Sequence, residues 1–449
     1  MHILYVHQNF PAQFGHIARH LVTKLGWECS FISQTPAGMV DGINKITYKL
    51  SGGATKQNHY CSRTFENTVW HTDGVYRALK ALPHLQPDLI VGHSGFGSTL
   101  FLRELYRDRP IINFFEYYYR AHDPLSDMDW RKDLAWEVPE MNYLRSYCRN
   151  AMILLDLQNC DGAYTPTEFQ KSRFPAEYLP KLDVIFDGVD RGFYHSHDDT
   201  LRPPIAKRVS RTIAGVDVPP DTRIVTYVSR GFESMRGFDI FMRSAKLIYE
   251  RYPNVMFFVV GTDRIAYGGD ENYIPGYKSF KEWTLSRDKY DMSKFIFTGR
   301  LTPAELGRLL ATSDLHIYLT VPFVLSWSMM DALSCGATVL ASRTPPIEEM
   351  IREGENGLLA DFFQPEDFAT KAIEVLKDPG AFRHLGKAGE QMIVERYSLE
   401  AVLPRMLKMY EDVMNRRPAV TRTDLESGTP DEMLTQSLRL KAPRSPFLG

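Results

Sequence analysis

The chain reads as two α/β domains, each a parallel sheet with helices on both faces, joined by a proline-rich connection. Three observations predict this. Short apolar runs rich in Val, Ile and Phe alternate with longer helical patterns from the first residues onward, as successive β-α-β units require. The alternation lapses near residue 190 and restarts at Arg223, with Pro203-Pro204 and Pro219-Pro220 between. And 449 residues exceed what one hydrophobic core ordinarily serves, so two domains of roughly 200 residues are expected.

Composition narrows the function classes. With 44% hydrophobic and 24% charged residues, this is an ordinary globular chain. A net charge of −2 leaves no global basic field to collect nucleic acid. The five cysteines, at 29, 61, 148, 160 and 335, are odd in number and show no C-x-x-C spacing. That excludes a disulfide framework or a structural zinc site and fits a reducing cytosol. No run approaches the ~18 apolar residues of a membrane span. Met1-His2-Ile3-Leu4 enters a strand directly, so no signal peptide is expected.

In the first half, His2–His7 is the opening strand, Gln8–Phe14 a loop, and Gly15 the start of a helix that Gly26 ends near Leu25. Glu28–Ser33 is the second strand. The Rossmann-like opening lacks G-x-G-x-x-G, so Gly15 reads either as a glycine facing a phosphate or as one easing a tight turn. Residues 35–84 show no clear pattern. Leu89-Ile90-Val91 is a buried strand, followed by His93-Ser94-Gly95-Phe96-Gly97-Ser98 and a helix from about Ser98. Two glycines and two serines there suit an anion or sugar hydroxyls. His93 sits at the functional edge of the sheet, or serves only as a local hydrogen-bonding residue.

Pro110–Phe115 runs into Glu116-Tyr117-Tyr118-Tyr119-Arg120-Ala121-His122-Asp123. Aromatic faces beside carboxylate and guanidinium groups suit a sugar ring, and the same tyrosines suit plain packing. Residues 124–160 are helical in pattern. Gly162–Thr165 is a short strand, Pro166-Thr167-Glu168 opens another helix, and Asp183–Asp190 is strand plus Asp-Gly turn.

The second half repeats the plan. Strand Arg223–Val228 leads through Ser229–Gly237 into a helix ending about Tyr252. Arg230 and Arg236, six residues apart, could be solvated surface, but their place between strand and helix suits an anion. Val255–Val260 is a strand, 264–291 an insertion without an assignment, and Phe295–Thr298 a strand. Thr302-Pro303-Ala304-Glu305 is a full capping box. Leu315–Leu319 and Thr338–Ala341 read as buried strands around a loop and short helix. Ser328-Met329-Met330-Asp331 has capping-box spacing, so that helix is expected to start at Ser328, with Gly336 ending it. Asp331 reads as helix cap or ligand contact. Residues 365–376 form a core-facing helix, and 399–415 a final amphipathic one.

These motifs resemble family 4 of the retaining glycosyltransferases, which have the GT-B fold. Asp331-Ala332-Leu333-Ser334-Cys335-Gly336 matches the second half of the family's donor motif, with Asp for Glu. Phe323 stands where the first Glu would be, Val324–Trp327 replace Gly-Phe-Gly-Leu, and Phe115-Glu116 stand where a histidine-carboxylate pair is usual. The resemblance spans residues 1 to about 415. It implies a domain at 1–195, a donor domain at 196–398, a helix at 399–417 crossing back to the first domain, and a disordered tail at 418–449.

For the site, the resemblance implies that Arg230, Arg236 and Gly237 hold a diphosphate and that Asp331 binds ribose hydroxyls. The Arg300 loop meets the base, unless Arg300 is a surface residue. Leu325, Ser326 and Trp327 face the diphosphate or sugar. Glu116 or His122 carries a catalytic or acceptor-side role, with Gly15, His93 and Tyr117 lining the acceptor side. The donor is a nucleoside diphosphate sugar, with no further cofactor and no metal. The partner is a carbohydrate or lipid-linked acceptor in envelope polysaccharide or glycolipid synthesis, with no nucleic acid. The expected location is cytoplasmic, including peripheral contact at the inner membrane face. Two other classes stay open: a nucleotide-sugar-binding scaffold that has lost chemistry, and a sugar-nucleotide epimerase or hydrolase.

Overall fold

The computed structural model describes residues 1–197, 201–204 and 207–416; the expected disordered tail at 418–449 lies outside them. Two parallel sheets dominate. The first holds β1 (His2–Val6), β2 (Glu28–Ser33), β3 (Ile43–Thr47), β4 (Leu89–His93), β5 (Ile111–Phe114), β6 (Gly162–Thr165) and β7 (Leu182–Val184), in spatial order 3-2-1-4-5-6-7. A small antiparallel hairpin follows, β8 (Arg211–Ile213) and β9 (Val216–Val218). The second sheet holds β10 (Arg223–Gly231), β11 (Val255–Thr262), β12 (Phe295–Gly299), β13 (Leu315–Tyr318), β14 (Val339–Ser342) and β15 (Leu358–Ala360), ordered 12-11-10-13-14-15.

The two orders are the same doubly wound plan. In each, the first strand lies centrally and the chain reverses its direction of growth between first and fourth strands. The apolar runs form central strands because parallel sheets bury both faces. Ile3, Leu4, Tyr5 and Val6 are fully buried, as are Val225, Phe257, Phe258 and Ile317. The expected α/β class with two Rossmann-like parallel sheets is what the chain forms.

The final helix, Leu399–Arg416, buries Val402, Met406, Tyr410 and Val413 against Ile3, Tyr5 and Phe14 of the first half. Its closeness explains Gly162, where a Cβ would lie 2.6 Å from a Val413 methyl. Between the halves, Arg131 inserts a buried fork. Its Nη1 and Nη2 donate to the two Asp239 carboxylate oxygens at 3.0 and 2.7 Å, and Nε to Asp133 at 2.9 Å. Glu349 accepts the backbone N–H groups of Glu168 and Phe169, both at 2.8 Å, so a second-half carboxylate caps a first-half helix.

Several elements differ from expectation. Residues 35–84 hold β3 and an 18-residue helix, Arg63–Lys80. The helix expected near Ser98 is a 3-10 turn, Leu100–Glu104. The insertion contains a 3-10 turn, Asp270–Asn272, and a short helix, Phe280–Ser286. The helix expected at Ser328 is Trp327–Ser334, capped by Ser326, whose Oγ accepts the Ser328 N–H at 3.3 Å. Ser326 wins because it has the extended backbone a cap needs; Asp331 lies inside the helix. Among the described residues no helix is long and apolar enough to cross a membrane.

Candidate active site

A cavity of about 610 Å³ lies where the two sheets face each other, at the reversal point of both. This is where doubly wound sheets leave a crevice outside the carboxyl ends of their strands. His7 follows β1, His93 ends β4 and Glu116 follows β5. Asp187 follows β7, Arg230 is near the end of β10, and Val324–Ser328 follow β13. Tyr267, from the insertion, closes one side.

The first-half wall is aromatic and imidazole-rich. The His7 and His93 rings meet edge to face at 5.0 Å, with Phe96 beside both. Burial holds the His93 pKa down to about 4 and drives His7 well below its usual range, so both are neutral near pH 7. His7 Nδ1 lies 2.9 Å from the Asn9 N–H and 3.1 Å from the Asn9 carbonyl, so Asn9 can meet it in either tautomer. His93 Nδ1 lies 2.9 Å from the Ser94 carbonyl. A carbonyl only accepts, so Nδ1 carries the proton and Nε2 offers a lone pair. His93 thus presents an acceptor beside the neutral His7 ring.

The carboxylates are placed by the same logic. Burial raises the Glu116 pKa, opposed by the Arg230 and Arg236 guanidinium groups. Burial pushes Asp187 up to about 7, against a hydrogen bond from Trp327 Nε1 at 2.8 Å. Cation density sits opposite. Arg264 and Arg300 join Arg230 within mutual repulsion, and the Arg264 Nε is buried without a partner. Glu233 and Tyr267 offset this repulsion only in part, and like charges gathered this way favour an anion beside them.

Of the expected residues, His93, Glu116, Arg230, Leu325, Ser326 and Trp327 line this cavity. The others do not. His122 stands outside, its ring stacked on Tyr143 at 4.1 Å and its Nδ1 3.8 Å from Asp129. Its loop does not fold back. Arg236 is buried, with Nη1 donating to Tyr318 and Thr320 hydroxyls at 3.2 and 2.7 Å, and it backs the Tyr267 ring at 5.1 Å. Gly237 adopts the left-handed conformation at φ 58° and caps the following helix, where a Cβ would lie 2.8 Å from the Leu319 Cβ.

Arg300 is exposed beside Arg264. Asp331 faces Asp190 and Tyr194 of the connecting segment, and burial raises its pKa well above the carboxylate range. Gly15 packs under Pro11, and Asn9, Phe10, Ala12 and Gln13 of its loop face the cavity instead. Tyr117 is buried in the wall between the halves, donating to the Pro322 carbonyl at 3.3 Å with its ring 4.7 Å from Phe323. Phe323 also meets Tyr267 at 5.6 Å, so it builds an aromatic wall where a carboxylate was expected.

Two local expectations change as well. Ser94 and Ser98 do not form an anion nest: both hydroxyls donate to buried Asp156 at 2.8 Å. The N–H of Ser326 is not free for a ligand, since it donates to the Tyr318 hydroxyl at 3.0 Å.

His7, Asp187, Arg264 and Tyr267 escaped sequence reading. His7 carried a signal, a polar residue at the carboxyl end of the first strand. Asp187 was masked by its Asp-Gly turn pattern. Arg264 and Tyr267 lie in the insertion, where no periodicity places a side chain.

Comparison with known proteins agrees with this geometry. A model described as glycosyl transferase family 4 group matches residues 25–193, and one described as glycosyl transferases group 1 matches residues 211–392. N-acetyl-alpha-D-glucosaminyl L-malate synthase of Bacillus anthracis is 28% identical over 130 residues, 29% of this chain and 34% of that protein. The chain spans 34–61% of the length of the curated relatives it matches. Sucrose-phosphate synthase from Thermosynechococcus elongatus superposes with a TM-score of 0.66 at 15% identity, covering 92% of this chain and 99% of that one. Anabaena Alr3699/HepE in complex with UDP-glucose superposes at 0.62 and 15% identity, covering 92% and 100%. Both share the fold.

Proposed function

The chain belongs to the group 1 glycosyl transferases of GT-B fold, and from that premise we propose that it moves a sugar from a nucleoside diphosphate sugar to a hydroxyl acceptor, retaining the anomeric configuration. One observation carries the proposal: a cavity at the reversal points of both sheets, with the Arg230 guanidinium on its second-half wall, Arg264 and Arg300 near it, and carboxylate and imidazole groups on the first-half wall. Cleaving the donor leaves a diphosphate whose charge must be met. Arg230 meets it directly, and Arg264 and Arg300 extend the positive field. Arg236 acts from behind the Tyr267 ring, as a fixed charge. These cations take the role a divalent metal plays elsewhere, so we propose metal-independent transfer.

The opposite wall serves the sugar and acceptor. Glu116 and Asp187, when ionised, oppose positive charge developing at the anomeric carbon. His93 Nε2 accepts a hydrogen bond from an acceptor hydroxyl, with the neutral His7 ring packed beside it. The acceptor class is a carbohydrate or carbohydrate-bearing lipid, in envelope polysaccharide or glycolipid synthesis, and the setting the cytoplasm or its membrane face. In support, the solved neighbour of the same fold was captured with UDP-glucose.

The test is turnover followed by proton NMR of the newly formed glycoside, in wild type and Arg230→Ala. Retention in the wild type with loss of at least a hundredfold in the variant is expected. Unchanged turnover in Arg230→Ala removes the diphosphate assignment, and an inverted product removes the retaining one.

A further inference from the structure

A second cavity, of about 450 Å³, lies on the other side of Tyr267, which lines both. Its first-half wall comes from Tyr60, the segment around Asp127–Trp136 and the helix Glu140–Arg149. Its second-half wall is the insertion, from Tyr267 to Tyr273. Of these stretches only Tyr267 also lines the cavity already described.

Its lining alternates ring faces with hydrogen-bonding groups. Trp136 stacks flat on Tyr273, at 4.8 Å and 8°. The Tyr60 hydroxyl donates to Asn142 Oδ1 at 2.6 Å, while Asn142 Nδ2 donates to the Tyr273 hydroxyl at 3.3 Å. Tyr143 donates to Asp129 at 2.6 Å. Arg149 lies 3.5 Å above the Tyr119 ring with no hydrogen bond among the described residues. The Arg145 Nε is buried and unpartnered. Asp127 is held neutral up to about pH 6 by burial, although Arg149 and Arg173 pull it down.

This mixture selects a ligand class. A purely apolar ligand would leave the Arg145 Nε and the unused hydrogen-bonding positions of these polar groups unmet. The lining carries both signs of charge, Asp127, Asp129 and Asp270 beside Arg131, Lys132, Arg145 and Arg149, so it does not select for a polyanion. A chain of sugar rings satisfies both demands, since apolar ring faces lie on aromatic side chains and hydroxyls reach the polar groups between. Tyr267 is held rigidly at the junction by Glu233, whose Oε2 accepts the N–H groups of Ala266, Tyr267 and Gly268 at 2.9, 2.9 and 3.1 Å. Tyr267 is thus the shared boundary of the two cavities.

We propose that this second cavity is an oligosaccharide-binding site that holds the acceptor beyond its reacting sugar, so that the protein extends a saccharide chain. The acceptor role rests on the glycosyl-transfer reading; the saccharide site does not. The test is binding without donor. The full chain is applied to a printed array of neutral and anionic oligosaccharides, and the best-bound tetrasaccharide and its constituent monosaccharide are then titrated calorimetrically. Wild type, Trp136→Leu, Asn142→Ala and Arg230→Ala are compared, with circular dichroism confirming that each is folded.

Tetrasaccharide binding at least tenfold weaker in Trp136→Leu or Asn142→Ala, but unchanged in Arg230→Ala, is the expected result. The monosaccharide should bind weakly and equally to all four. Absence of any bound oligosaccharide on the array, or binding indifferent to both cavity variants, overturns the proposal. Cavity-dependent binding without turnover of any nucleotide sugar removes the transfer reading and the acceptor role, and leaves the saccharide site standing.

Discussion

Asp187 and Trp327 show how much of the site rests on single side chains from opposite halves. The indole N–H lowers the Asp187 pKa, and burial outweighs it, leaving a value of about 7. If the ionised carboxylate serves the reaction, turnover falls as pH drops through 7. Trp327→Phe removes the lowering influence, so the acidic limb of the pH–rate profile should move to higher pH; Asp187→Asn should abolish that limb. Stability follows the opposite sign. The folded chain holds this proton where the unfolded chain, with an ordinary pKa of 3.8, has released it. The contribution is full in acid and lost as pH rises toward 7. Urea midpoints for Asp187→Asn should therefore vary less between pH 4 and 7 than wild type. At this scale the sequence led to Arg230, Glu116 and Ser326 as residues of the cavity they line, because chemistry and place between elements coincide there. It misjudged His122 and Asp331, because helix registry and loop direction decide where such side chains point, and neither is written in spacing alone.

Elements position these residues through close approaches that tolerate little change. The turn from His93 to Ser98 passes so near β1 that a Cβ on Gly97 would lie 2.1 Å from the Val6 carbonyl. Gly97→Ala should displace His7 and His93 together and cost several kcal/mol, of the order of overpacked cores, read as a lower unfolding midpoint. Caps matter less individually. Thr302→Ala breaks the capping box that begins the helix Pro303–Thr312, and about 1 kcal/mol of stability should be lost. That helix was readable because its box, proline and apolar spacing all agree. The region 35–84 was not. Its edge strand β3 is only partly buried, so Asn and Lys interrupt the apolar alternation. Its long helix carries threonine, tryptophan and glycine among the helix formers. Where burial is one-sided and weak, pattern fades before structure does.

Across the whole molecule, the two halves are tied by groups each leaves unsatisfied alone. The buried Arg131 fork on Asp239 is one such tie, beside the contacts of Arg131 with Asp133 and of Asp239 with Arg243. Removing Arg131 leaves Asp239 with only the longer contact to Arg243, so Arg131→Met should cost about 3 kcal/mol, and Arg131→Met with Asp239→Leu should regain much of it, as scanning calorimetry can show. The repeated sheet plan, the restart at Arg223 and the returning helix were all legible, because long apolar strands and strong caps dominate their segments. The aromatic wall of Tyr117, Phe323 and Tyr267 was not, since it exists only when the halves meet. The central claim is that this joint cavity receives a nucleoside diphosphate on its arginine wall. Thermal shift of wild type and Arg230→Ala with UDP, GDP and their sugars tests it directly. Stabilisation of the wild type by one nucleoside diphosphate, absent in Arg230→Ala, is predicted. No stabilisation by any of them, or equal stabilisation of both proteins, would contradict it.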